Sequence, residues 1–468
     1  MRKTIKIVSL LLILITVVGL FSGCVNSESW VTLKFGIPYT EDSDTYQKIQ
    51  LAADDSNMYT ESDYVKIELV SIPEDEEGKK DFLKKMNNGE IAFFMYERDD
   101  LITPYLESGR IATLTEIQQV YPSCFEDRKQ FVLDTSTDAD GMNHMLALKG
   151  NYQGVFFNED LFLQYGLKIP KTWDQFQNVI NTFIQNGVTP IAGGFADGGM
   201  KYWMDELILM EGGVAEHSYV PKYGVVNSWS RAITDFENLY KSGAFNSDCM
   251  TATQDQAEEM FASGQAAMIL TNSKNIATDG ADADSMGVFS LPVASTGKKN
   301  IGDIICDFDI GVYVNSSYLK KSTEVIDTLV LFVLDYLDKA MDDEEEGAPE
   351  WSYPAYKSNW SLPGNPYTIG EEEIIIDDGT ITPEEQLEKD PTIEEDILKE
   401  DTLDNRVFNM MENVTEAGRS LNTEYKTFDS FIDLVKGYIE NGGDIDALLT
   451  EATNNEIAAQ NEQPQQEQ

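Results

Sequence analysis

The sequence predicts an α/β protein of two lobes, and three observations carry that expectation. The chain has 468 residues, 42% of them apolar and 10% aromatic, which is more core material than one lobe needs. Residues 30–37 (WVTLKFGI) and 64–72 (YVKIELVSI) alternate apolar and polar side chains at the period of half-buried strands, with a helical stretch from about Tyr46 between them. A third apolar strand, Ile91-Ala92-Phe93-Phe94-Met95, follows a helical Asp81 to Asn87 and runs into the polar cluster Tyr96-Glu97-Arg98-Asp99-Asp100. In open α/β sheets such strand ends are where ligands sit.

Further elements follow in order. Thr172 caps a helix with Gln175 three residues on, and Trp173, Phe176, Val179, Ile180, Phe183 and Ile184 give it one apolar face until Asn186-Gly187 stops it. That face predicts Trp173 as core rather than as a ligand contact. Thr253 and Gln256 repeat the capping box, Gly264 ends the helix, and Ala266 to Leu270 reads as a buried strand. Gly287 to Leu291 is a further strand closed by Pro292. A helix from about Thr323 to Tyr336 carries Glu324 and Asp327 in its first turn, where acidic groups suit the helix dipole. Residues 371–404 hold 15 Asp or Glu with Pro383 and Pro391, the pattern of a solvated acidic insertion, a cation site being the sharper alternative. Phe428 to Leu449 is helical again, and residues 454–468 read as a polar, disordered tail.

Charge and composition exclude several functions. With 34 Lys+Arg against 82 Asp+Glu the formal charge is −48, a surface that repels nucleic-acid phosphates and anionic lipid headgroups. Two histidines, His144 and His217, and four cysteines supply no zinc or iron–sulfur spacing, so no metal or other cofactor is expected. No Gly-x-Ser-x-Gly elbow, His-Glu-x-x-His helix or phosphate loop is present.

Arg2, Lys3 and Lys6 precede an apolar run from Ile7 to Phe21 that is shorter than the roughly 20 residues needed to span a bilayer, so residues 1–23 read as a signal peptide. Phe21-Ser22-Gly23-Cys24 resembles the bacterial lipoprotein cleavage box, which makes Cys24 the lipidated residue, with 24–29 a short linker. The alternative is an ordinary signal peptide with an incidental Cys. Acyl chains at Cys24 would hold the protein on the outer face of the cytoplasmic membrane, since electrostatics oppose that attachment. Cys124, Cys249 and Cys306 then remain, allowing at most one disulfide, and small buried side chains are the favoured reading.

Several blocks together carry a family resemblance. Asp140-Gly141, Met145 to Leu148, Gly154-Val155-Phe156-Phe157-Asn158-Glu159-Asp160-Leu161-Phe162 and Gly166-Leu167-Lys168-Ile169-Pro170-Lys171-Thr172-Trp173 form one long signature. Phe261 to Met268 and Val288 to Pro292 extend it. The pattern resembles the family 1 extracellular solute-binding proteins, the sugar-binding lipoproteins of ABC importers related to maltose-binding protein. Lys149, Glu159 and Asn272-Ser273-Lys274 depart from it. The resemblance implies a two-lobe periplasmic-binding-protein-like fold of type II with the ligand cleft between the lobes. It places one lobe at about 30–149 and 309–345 and the other at about 150–306 and 346–453. It further implies a monomer that is not an enzyme, with a carbohydrate, the transmembrane subunits of an ABC permease and, through Cys24, the membrane as partners.

Sugars present an apolar face and a rim of hydroxyls, so recognition calls for aromatic platforms flanked by polar side chains. Candidates are Tyr96, Glu97 and Asp99 at a strand end, and Asn151, Tyr152 and Gln153 at the expected first crossover between lobes. Phe195 and Trp203 lie in a glycine-rich loop, Asn272 and Lys274 follow a strand, and Asp307 and Asp309 mark the second crossover. Trp351, Tyr353 and Trp360 form an aromatic cluster. For Tyr152 and Trp203 the alternative is packing between lobes, for Glu97 and Asp99 solvated carboxylates, for Asp307 and Asp309 hinge hydrogen bonding, and for the C-terminal cluster a satellite core. A surface glycoside hydrolase using two carboxylates, or a surface interaction or sensing protein on the same fold, are the other functions the sequence leaves open.

Overall fold

The computed structural model describes residues 31–59, 65–99, 101–122, 130–137, 142–217, 226–276, 285–321, 323–337, 353–354, 410, 414, 416–421 and 425–461. Cys24, Cys124, Trp351, Trp360 and the acidic insertion lie outside the described residues.

The chain opens β1 (Val31–Ile37), α1 (Asp44–Tyr59), β2 (Val65–Ser71), α2 (Glu76–Asn87) and β3 (Phe93–Glu97), with β1 and β2 where the alternation predicts them and α2 starting before Asp81 because Asp75 caps it. Short helices α3 (Thr103–Glu107), α4 (Leu114–Val120) and α5 (Gln130–Thr135) lead to a long strand, β4 (Met145–Asn158). Then come α6 (Glu159–Gln164), α7 (Trp173–Gln185), β5 (Thr189–Ala192), α8 (Gly199–His217), α9 (Asn227–Ser242), α10 (Gln254–Ala262), β6 (Ala266–Asn272), β7 (Met286–Phe289) and a second long strand, β8 (Ile304–Val314). The last described elements are α11 (Thr323–Leu331) with a π-helical extension to Leu337, β9 (Tyr353–Pro354), β10 (Ala417–Gly418), α12 (Phe428–Asn441) and α13 (Ile445–Asn461).

Both predicted capping boxes form: Thr172 with Gln175 starts α7 and Thr253 with Gln256 starts α10, each joining side chain and backbone in both directions. A third, Thr113 with Glu116, starts α4 and was not anticipated.

The strand order is β2-β1-β3-β8-β4-β6-β5, with β7 and β9 on β4 and β10 on β8. β1 to β3 are parallel to one another, and β3 runs antiparallel to the far part of β8. β5 and β6 are parallel, and β6 and β7 run antiparallel to the far part of β4. Among the described strands, only β4 and β8 belong to both halves. They cross between them side by side, pairing Asn151 with Asp307 and Tyr152 with Cys306, and the register slips twice between Ala147 and Asn151. Gly150 is required there: a Cβ would stand 2.7 Å from the Phe308 ring and 2.8 Å from the Asp307 carbonyl.

The core around β1 and β3 stacks Phe35 on Phe93, ring centroids 4.5 Å apart, with Phe332 edge-on to both. The core around β5 and β6 is built from Trp203, Trp229, Phe236 and Phe245, and α12 closes it by setting Phe431 against Trp229. Trp173 is in this core, as its helical face predicted. The expected tail from Asn454 is corrected: α13 runs to Asn461, because Ala452 packs inward and the buried Glu456 accepts from the Thr427 amide and hydroxyl. Cys249 and Cys306 are buried, and burial pushes the Cys249 thiol up to about 11.

Candidate functional site

The pairings bring the strand ends to one place. Glu97, the last residue of β3, lies opposite Ile310 beside the crossover, and Gly36 pairs with Phe94, so β1 and β3 end on the same side. From the other half, Asn272 at the end of β6 lies opposite Gln153, and Phe289 at the end of β7 lies opposite Val155. β5 runs parallel to β6 and ends beside it. Carboxyl strand ends from both halves therefore face a common crossover, the place where open α/β sheets bind ligands.

The second half presents a polar array there. Asp197, exposed in the loop after β5, accepts from the Gln254 amide at the start of α10. The half-buried Gln254 donates to Glu258 Oε1 (2.8 Å) and to Thr271 Oγ1 (3.1 Å) at the end of β6. Asn275 donates to Tyr202 Oη (2.7 Å) and Thr271 Oγ1 (3.3 Å). Burial raises both the Glu258 carboxyl, against the pull of Gln254, and the Tyr202 phenol. The sequence reading missed Tyr202, Gln254, Glu258 and Asn275. Tyr202 immediately precedes Trp203 on α8, where a turn of about 100° per residue separates a core-facing residue from a rim-facing one.

In the first half, the Tyr96 hydroxyl donates to Asp99 Oδ2 (2.9 Å), and Asp99 Oδ1 accepts from the Leu101 amide. Lys79 stands 3.9 Å from Asp99 and over the Tyr96 ring. Burial first, then the Asp99 bond, drive the Tyr96 phenol upward. Tyr96 is buried; Glu97 is exposed and Asp99 half-buried.

The aromatic candidates are corrected. Phe195 and Trp203 are each 1% exposed and pack on Phe245, with ring centroids at 5.0 and 5.2 Å, so neither presents a face at the crossover. The glycines that read as a loop serve close packing instead: a Cβ on Gly199 would stand 2.4 Å from Gln254 Oε1, and α8 begins at that residue. Tyr152 is fully buried against Phe156. Gln153 and Asp307 are interior groups at the crossover, and Asn151, opposite Asp307, is half-buried. Asn272 is buried beside Gln153. Lys274 lies in the turn Ser273–Asn275, Asp309 in β8, and Tyr353 in β9 opposite Gly150; of these three only the backbone is described.

Behind the crossover sits a buried polar junction. Asp205 of α8, 1% exposed, accepts from Gln153 Nε2 (2.8 Å), Ser420 Oγ (2.8 Å) and the Leu421 amide (3.3 Å), and contacts His217 Nε2 at 2.6 Å. The adjacent Glu206 takes Lys299 Nζ at 3.1 Å, both being at most 1% exposed, and burial pushes the Glu206 carboxyl up against the pull of that ammonium. On the outer side of α8, Arg231 binds Glu211, and Asp235 stands beside this pair. Burial, then the Glu211 charge and hydrogen bond, push Asp235 up to about 7 from 3.8. A carboxyl raised on folding stabilises the fold fully below its unfolded value and loses that contribution as pH rises toward the folded one. Melting temperature is therefore expected to fall between about pH 4 and pH 7, and Asp235→Asn to flatten that slope; an unchanged slope in the variant would reject the assignment.

Among the described residues, no group of three or more His, Cys, Asp or Glu is placed to hold a metal ion, and no helix is long and apolar enough to cross a membrane. Two α/β halves that aim strand ends and hydrogen-bonding side chains at a shared crossover define a two-lobe binding protein. The chain belongs to the bacterial extracellular solute-binding protein family, whose sequence profile matches residues 38–330.

Solved structures share the fold at low identity. The bacterial solute receptor AcbH, described as having an exclusive substrate preference for b-D-galactopyranose, is 13% identical with a TM-score of 0.66, over 92% of this chain and 98% of its own. A probable secreted solute-binding lipoprotein from Streptomyces coelicolor is 14% identical with a TM-score of 0.66, over 91% and 98%. A chitin oligosaccharide binding protein is 16% identical with a TM-score of 0.57, over 92% and 99%. No curated protein sequence matches the chain.

Proposed function

We propose that this protein is a lipid-anchored receptor of an ABC importer that captures a carbohydrate, an oligosaccharide in particular, between its lobes and delivers it intact to the permease. The observation that carries the reading is the polar array Asp197, Tyr202, Gln254, Glu258 and Asn275 at strand ends that face the crossover. Amide and phenol groups both donate and accept, and carboxylates accept, which suits a rim of hydroxyls. The galactopyranose and chitin-oligosaccharide preferences named for AcbH and the chitin oligosaccharide binding protein support a sugar as solute. Glu97, Asp99 and Asn151 complete the contact set from the opposite lobe and the crossover. The lobes divide at about residues 149 and 309, and Cys24 carries the acyl anchor outside the cell.

A thermal-shift panel of mono- and oligosaccharides, amino acids and polyamines tests this, because a ligand that binds only the folded form raises the melting temperature. A shift with one sugar class, the sugar being recovered unchanged, is expected. With that sugar, Tyr202→Phe and Asn275→Ala should each weaken binding about tenfold by removing a hydrogen bond inside the site. No response to any sugar would sink the carbohydrate reading, and a cleaved sugar would sink the binding-protein reading.

A further inference from the structure

Besides β4 and β8, the chain must cross between lobes a third time. α11 packs with β1 and β2 in the first half, while α12 closes the core of the second. The described part of that return is a strap, residues 416–421, whose β10 pairs with Ile304 and Ile305 just before the second crossover. Its far end is fixed to the second lobe, since Ser420 Oγ and the Leu421 amide both bond Asp205 of α8. Its middle reaches the hinge and the first lobe. The Ser420 amide donates to Asp307 Oδ1 at 3.1 Å, Arg419 Nε lies 4.0 Å from that same oxygen, and Arg419 Nη1 donates 3.1 Å to the Thr137 carbonyl. Thr137 closes the turn after α5, where Arg98 Nη2 also donates to the Ser136 carbonyl at 2.9 Å. Carbonyls beyond a helix end carry partial negative charge, so a guanidinium is well received there.

The geometry points to Arg419 as a positioning residue for solute capture: a latch, carried on a strap that Asp205 fastens to the second lobe, which holds the first lobe through Thr137 and the hinge through Asp307. Rotation of the lobes about residues 149–152 and 306–309 leaves the Asp205 end of the strap in place and strains the Arg419 end. The strength of that contact therefore sets how readily the lobes leave the arrangement seen here, and with it the share of chains ready to bind. Arg419 is 14% exposed at its side chain, so its bonds are shielded from salt far better than surface pairs.

The inference rests on the two-lobe receptor reading, but its test needs no solute. Hydrogen exchange by mass spectrometry is compared for the full chain in mild detergent, as wild type, Arg419→Ala and Arg419→Lys. Losing a charged hydrogen bond should speed exchange about tenfold in peptides covering 131–137 and 149–153, with the melting temperature and the protection of α8 and α9 unchanged. Arg419→Lys, which keeps one charged donor, should restore part of the protection. Unchanged exchange in those peptides in Arg419→Ala, or loss of protection spread through the second lobe with a lower melting temperature, would overturn the latch. Sugar binding can fail in the separate panel without touching either outcome.

Discussion

Asp205→Ala is expected to cost about 4 kcal/mol of stability, the scale of a buried charged partner removed from a satisfied network. The carboxylate is 1% exposed and receives Gln153, Ser420, the Leu421 amide and His217. Its loss removes the acceptor these buried groups share, and each donor left without a substitute carries a desolvation penalty of about 1–3 kcal/mol. Asp205→Asn keeps one acceptor oxygen and the same shape, so it should lose less. Urea denaturation of wild type and both variants measures the difference. A loss below about 1 kcal/mol for the alanine variant would mean that water or rearrangement satisfies the junction.

Lys299→Met should come close to the same cost, about 3 kcal/mol, because it strands Glu206 in the interior without its counter-charge. Lys299 Nζ also donates to the Leu291 carbonyl at 2.9 Å, which loses its donor too. Replacing both partners, Lys299→Met with Glu206→Leu, should recover most of the loss, since a matched apolar pair needs no desolvation of charge. Acid supplies a second check. Burial already favours the protonated form of Glu206, so the single variant should lose less at pH 5 than at pH 8. Equal destabilisation by single and double replacement would show that shape, not charge, holds this site. The exposed Lys80–Glu76 pair on α2 is the control, and its removal should leave stability almost unchanged.

Local signals were read correctly where one segment decides the outcome. Alternation marked β1 and β2, and two capping boxes set the starts of α7 and α10, because those interactions close within a few residues. The site was less legible, since its members are assembled from afar. Asp205 meets Ser420 across 215 residues of chain and Gln153 across 52, and no spacing encodes such a meeting. Phe195 and Trp203 misled for a specific reason. Gly193, Gly194, Gly198 and Gly199 suggested a loop open to solvent, whereas at Gly194 a Cβ would stand 2.2 Å from the Thr253 carbonyl, so that segment runs hard against the start of α10. Aromatic residues beside it were pressed into the core, and Tyr202, one position away, was left at the rim.

The arrangement of strand ends also bears on how such a receptor changes its diet. The residues that fold each half lie along the strands and inner helix faces, while the proposed solute contacts of the second half are side chains at its rim: Asp197 and Asn275 beyond β5 and β6, Tyr202 on α8, and Gln254 and Glu258 on α10. A lineage can therefore exchange these side chains for a new nutrient while leaving both interiors alone. An engineer can do the same one position at a time, keeping the buried Phe195, Ser273 and Ile276 together with Gly150, Asp205 and Asp307 as the fixed chassis.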